Sequence, residues 1–114
     1  MAFTIPAGFV PDASEHPGDM LADELVARKI SRRALAKLAS TTPTMINALI
    51  RHRKGISLPL APRLEQALGI GAEYWINTQR MYDRVEQAKK YKHQMEQLNV
   101  PAARQESLLK HLAA

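Results

Sequence analysis

The 114-residue chain is 46% hydrophobic but only 5% aromatic, a mixture dominated by Ala and Leu that suits packed helices better than a β-sandwich. Its length fits one domain with a modest core, and no run of about 18 apolar residues is present to cross a membrane. Cysteine is absent, which excludes disulfides and thiolate metal sites, and the formal net charge is +5.

Residues 1–15 carry Pro6, Gly8 and Pro11 without periodicity and read as an N-terminal arm. No basic residue precedes the apolar ones in this opening stretch, so no secretory signal is expected and a cytoplasmic protein is. A helix then starts within HPGDMLADELVARK. Pro17 suits a first helical position, and Asp19, Asp23 and Glu24 complement the positive end of the helix dipole, while Leu21 and Leu25 face inward. Ser31 is expected to cap a second, short helix with Leu35, Ala36 and Ala39 on one side. Thr42 caps a third, with Pro43 at its first position and Ile46, Leu49 and Ile50 as the inward stripe. HRKG closes it, with Gly55 suited to the terminal turn. A fourth helix runs from about Pro59 to Leu68 and stops at Gly69. A fifth starts near Ala72 and continues far, until Asn99 and Pro101 end it, and a last short helix passes through Leu108, Leu109 and Leu112. The expected fold class is all-α.

Charge is divided sharply along this order. Residues 1–27 hold five acids, Asp12, Glu15, Asp19, Asp23 and Glu24, and no Lys or Arg. Residues 25–64 hold nine bases, Arg28, Lys29, Arg32, Arg33, Lys37, Arg51, Arg53, Lys54 and Arg63, and no Asp or Glu. A solvated helix face usually intersperses acids as i,i+4 partners. A 40-residue stretch without any repels itself unless an anion lies near, which points to a polyanionic partner.

Two short helices joined by a tight turn, the second capped by a hydroxyl residue, describe a helix-turn-helix, whose second helix enters the DNA major groove. With Ile46, Leu49 and Ile50 inside, its outward face is Thr44, Met45, Asn47, Ala48, Arg51 and His52. Asn can pair bidentately with adenine and Arg with guanine; Thr or Met can touch the thymine methyl. Small Ala48 permits close approach, and Arg32, Arg33, Arg53 and Lys54 sit at the ends, where phosphates pass.

From HPGDMLADEL through ISRRALAKLASTTPTMINALIRHRKGIS to LEQALGIGAEYWINTQRMYD, the chain resembles the HigA/VapI-type antitoxins of bacterial toxin–antitoxin modules. These are a branch of the lambda-repressor-like (XRE) helix-turn-helix proteins. The resemblance runs without gaps over about residues 16–83, and its HPG, TPT and EYWINTQ blocks are fairly specific to this branch. It implies a five-helix DNA-binding domain over residues 16–83, followed here by a helical extension, residues 84–114. It also implies a homodimer on a palindromic operator, repression of its own operon, and neutralisation of a small RelE-like RNase toxin. The candidate DNA-binding set is Arg32, Arg33, Thr42, Thr44, Met45, Asn47, Ala48, Arg51, Arg53 and Lys54. The sequence departs from the family at three points. Arg32 replaces the usual Gln opening the second helix and reads as a phosphate binder, Ser40 replaces a turn Gly, and Arg51-His52 replaces Asn-Gly after the recognition helix. Operator sequence is therefore not transferable.

Acid-rich Asp19, Asp23 and Glu24 are the candidate toxin-binding residues, since an RNase that grips RNA should present a basic surface. Tyr74, Trp75, Met81 and Val85 are the candidate dimer contacts. Met81, Val85, Ala88, Tyr91, Met95 and Leu98 step by three or four, a stripe long enough for a partner helix or for packing on its own domain. The histidines His16, His52, His93 and His111 lack metal-ligand spacing, and His16 reads as part of the first helix start. No catalytic motif, cofactor or metal is expected. Two rival readings stand: a free-standing phage-type repressor without a toxin, and a protein-interaction module whose helix-turn-helix no longer binds DNA. The acid-free stretch argues against the second.

Overall fold

The computed structural model describes residues 15–113. Among them lie six helices and no strand: α1 (Pro17–Arg28), α2 (Arg32–Leu38), α3 (Pro43–Ile50), α4 (Leu60–Leu68), α5 (Ala72–Gln97) and α6 (Ala102–Ala113). The all-α expectation holds; the expected N-terminal arm lies outside the described residues, apart from Glu15.

Local chemistry sets most of the boundaries. The Ser31 hydroxyl accepts from the Ala34 N–H at 3.0 Å, and that of Thr42 from the Met45 N–H at 3.2 Å. Each satisfies a donor that the first turn leaves open. Pro17 and Pro43 open their helices, where the missing N–H costs nothing. Gly69 ends α4 at φ 74°, in the left-handed region that glycine enters freely. Asn99, at φ 58°, turns the chain out of α5 ahead of Pro101. The Glu65 carboxylate reaches across the intervening loop to accept from the Ala72 N–H at 2.9 Å, capping the start of α5.

The chain divides into two compact units, one of Glu15–Arg80 and one that includes Met81–Ala114, and α5 runs through both. In the first unit, Leu21, Leu25, Leu35, Ile46, Leu49, Leu60, Leu64, Leu68 and Trp75 form a buried cluster. These are one face of each of α1 to α4 plus the start of α5. Each fully buried aliphatic side chain contributes about 1.5–3 kcal/mol, so this cluster holds α2 and α3 in place. In the second unit, Val85, Ala88 and Met95 are buried, whereas Tyr91 and Leu98, expected on the same stripe, are exposed. They lie at the edge of the apolar arc, because a 3.6-residue helix drifts away from a seven-residue repeat.

One local expectation is corrected. The left-handed residue that closes α3 is His52 (φ 61°), not Gly55. Gly55 serves instead as a close approach, since a Cβ there would lie 2.7 Å from Gln79 Oε1. That same oxygen accepts from the Ile56 N–H at 2.8 Å, tying the loop after α3 to α5. Trp75, a candidate dimer contact, is fully buried and belongs to the core cluster; large and flat, it gains more area there than at an exposed interface. Val85 is likewise buried, while Tyr74 and Met81 are half-buried.

Candidate nucleic-acid interface

α2 and α3 are joined by residues 39–42, the short turn of a helix-turn-helix. Ser40 takes φ 53°, a conformation that costs a residue with a Cβ about 1–2 kcal/mol. Its carbonyl accepts from Arg63 Nη1 at 3.1 Å, so a base of α4 pins the turn. Arg63 belongs to the basic stretch, but its part as a turn anchor carried no signal in the sequence, because its acceptor is a backbone oxygen 23 residues away.

Burial of Ile46 and Leu49 turns the opposite face of α3 outward. Thr44 and Arg51 are exposed, and Met45, Asn47 and Ala48 are half-buried. The hydroxyl of Thr42 is engaged as the cap. Arg33, Arg53 and Lys54 are exposed at the ends of the helix pair, as is Arg32. The Arg32 guanidinium is directed inward along the face, however, and its Nη1 donates to Asn47 Oδ1 at 2.7 Å. The residue expected to hold a phosphate thus holds a neighbour on the recognition helix.

Electrostatically the face is uncompensated. Among the described residues Arg28 pairs with Glu24 at 2.9 Å and Lys89 with Glu86 at 3.4 Å, and His52 Nε2 lies 2.7 Å from Asp19 Oδ1. Arg32, Arg33, Lys37, Arg51, Arg53 and Lys54 therefore face outward without a carboxylate partner among the described residues. Solvent screens such charges from one another only partly over these separations, so an anionic ligand relieves their repulsion.

The acidic helix α1 packs against the end of this site. His16 is buried, and its Nδ1 accepts from the Gly18 N–H at 2.9 Å as the cap of α1. This is the helix-start part expected of it. A Cβ on Gly18 would collide with the Leu49 carbonyl oxygen, so this glycine lets α1 touch the backbone of α3. The imidazole of His52 stacks on that of His16. Of the acids proposed for a toxin, Asp19 is engaged with His52 and Glu24 with Arg28, while Asp23 is exposed. On the other side of α1, the Tyr74 hydroxyl donates to Met20 Sδ at 3.5 Å. Burial, with the nearby Glu15 and Glu24 carboxylates adding to it, pushes that phenol above its ordinary range. Among the described residues no three His, Asp or Glu side chains gather as a metal site.

Comparison with known proteins agrees with this geometry. The chain is 38% identical over 81 residues to the virulence-associated protein I of Dichelobacter nodosus, covering 70% of this chain and 75% of that protein. The chain belongs to the HigA/VapI-type antitoxin family. A solved antidote protein of a plasmid maintenance system from Nostoc punctiforme superposes with a TM-score of 0.74 at 28% identity, over 79% of this chain and 99% of that one. The antitoxin HigA of Pseudomonas aeruginosa, solved with the higBA promoter, superposes with a TM-score of 0.67 at 32% identity, over 73% of this chain and 91% of that one. No protein-family model matches the chain. These relatives mark it as a DNA-binding helix-turn-helix regulator of the toxin–antitoxin class.

Proposed function

We propose that this protein is the antitoxin of a type II toxin–antitoxin module, binding operator DNA as a cytoplasmic homodimer to repress its own operon and neutralising a RelE-like RNase. In this reading residues 16–83 are the five-helix DNA-binding domain and residues 84–114 a helical extension. The α3 recognition helix enters the major groove with Thr44, Met45, Asn47, Ala48 and Arg51 toward the bases; Arg33, Arg53 and Lys54 meet phosphates.

The observation that carries the reading is the set of outward bases around α3 with no carboxylate partner among the described residues. Such a face is costly in isolation and favourable against a phosphate backbone. The Pseudomonas aeruginosa relative, an antitoxin solved with promoter DNA, supports a DNA-binding role.

The test is binding to the DNA upstream of this protein's own gene across a salt series. Each phosphate contact lowers the slope of log affinity against log salt by roughly 0.9, so several contacts give a steep dependence. Affinity independent of salt would remove the basic face from DNA binding. Co-purification with the product of an adjacent gene, and rescue of growth from that product, separates an antitoxin from a free-standing repressor.

A further inference from the structure

The hydrogen bond between Arg32 and Asn47 changes what the recognition helix can read. Arginine has five N–H donors and no acceptor. The atom of Asn47 that lies 2.7 Å from Arg32 Nη1 is therefore the carbonyl oxygen, whichever way an amide is drawn. The pairing spans 15 residues of sequence, from the first turn of α2 to the middle of α3, with Arg32 exposed and Asn47 half-buried. Neither side chain makes another hydrogen bond or ion pair among the described residues.

The consequence is a change of hydrogen-bonding character. A free Asn reads adenine because its oxygen accepts from the N6 amino group while its nitrogen donates to N7. Here the oxygen is held by a cation, and an incoming amino group would bring its own N–H dipole against that same positive charge. The oxygen keeps a second lone pair, but the neighbouring charge weighs against another donor there. The groups favoured at a base edge are therefore the Asn47 Nδ2 amino group and the unused N–H groups of Arg32, all donors. Guanine is the base whose major-groove edge offers two adjacent acceptors, N7 and O6.

We infer that Arg32 and Asn47 form a composite reader that selects guanine, not adenine, at one position of each operator half-site. Both touch the base: Asn47 donates through Nδ2, and Arg32, which also sets the polarity of Asn47, donates the second N–H. This rests on the DNA-binding reading above. It assigns Arg32 a sequence-reading part in place of a phosphate contact.

Selection from a randomised duplex library of about 20 base pairs, wide enough for two half-sites one helical turn apart, tests it. The variants are Arg32→Ala, Asn47→Ala and Arg53→Ala, with helix content and melting temperature checked for each. The wild type should enrich guanine over adenine about tenfold at one position per half-site. Arg32→Ala should free the Asn47 oxygen and move that position to adenine, with other positions unchanged. Asn47→Ala should erase preference there, and Arg53→Ala should lower affinity at every sequence alike. The inference is overturned if Arg32→Ala weakens binding uniformly with all base preferences intact, which makes Arg32 a phosphate anchor. Wild-type enrichment of adenine at the position that Asn47→Ala erases overturns it as well. A wild type that enriches no sequence and binds independently of salt overturns the DNA-binding reading itself, a failure visible before any variant is compared.

Discussion

The imidazole rings of His16 and His52 lie face to face, their centres 4.2 Å apart and their planes 20° from parallel. One caps the start of α1 and the other sits in the left-handed turn that ends α3. The stack, the Asp19–His52 contact and the close approach at Gly18 together fix the end of the recognition helix against the acidic helix. The orientation of α3 thus depends on the packing of α1 against its end.

Gly18 is the most stringent of these. Its absent Cβ would meet the backbone of Leu49, which cannot move without shifting α3. Gly18→Ala should lower stability by about 3 kcal/mol or abolish folding. Gly69→Ala, at a position with open space but a positive φ, should cost only about 1 kcal/mol. Thermal melts followed by circular dichroism decide; equal losses would mean that contact between α1 and α3 is not tight.

The cap and the stack at His16 can be separated. Asn accepts a hydrogen bond as an N-cap about as well as any residue, so His16→Asn should retain the cap and lose only the ring contact. His16→Ala should lose both and be less stable than His16→Asn by about 1 kcal/mol. If chemical denaturation finds the two variants alike, the hydrogen bond from Gly18 carries no weight.

Bases that read sequence should behave differently from bases that hold phosphates. Arg51→Ala should cost about 1–3 kcal/mol on the cognate operator and little on unrelated DNA. Arg53→Ala and Lys54→Ala should each weaken binding evenly across sequences and flatten the salt slope by roughly one unit. Fluorescence anisotropy on operator and scrambled duplexes resolves these patterns, and an Arg51 effect of the same size on both duplexes would demote it to a phosphate contact.

On the acidic helix, Asp23 is the side chain without an ion-pair partner among the described residues, since Glu24 holds Arg28 and Asp19 holds His52. Asp23→Lys should therefore slow toxin association while changing stability by no more than about 0.5 kcal/mol and leaving operator binding intact. Asp19→Lys should disturb the His52 turn as well. Stopped-flow association with the toxin checks this, and an unchanged rate for Asp23→Lys would take α1 out of the interface.

Much of the fold was legible in the residues because its signals act over one helical turn. Ser31 and Thr42 cap donors three positions ahead, Pro17 and Pro43 open helices, Gly69 closes one, and Leu21, Leu25, Leu35, Ile46 and Leu49 recur at helical spacing. The basic stretch and the helix-turn-helix spacing likewise pointed to a DNA-binding regulator, as the resemblance to the antitoxin family did.

The pairings between distant residues were decided only by tertiary packing. Nothing local places Arg32 on Asn47, His52 on His16, Gln79 on Ile56 or Arg63 on Ser40. Each exists because the shared apolar core brings two helices, or a helix and a loop, within hydrogen-bond reach. The same core drew Trp75 inside and gave the left-handed turn after α3 to His52, whose ring finds partners there, leaving Gly55 to make room for Gln79. Local chemistry sets where helices begin and end, and burial sets which faces turn inward. What a surface side chain can still donate or accept is settled by the neighbour that packing supplies.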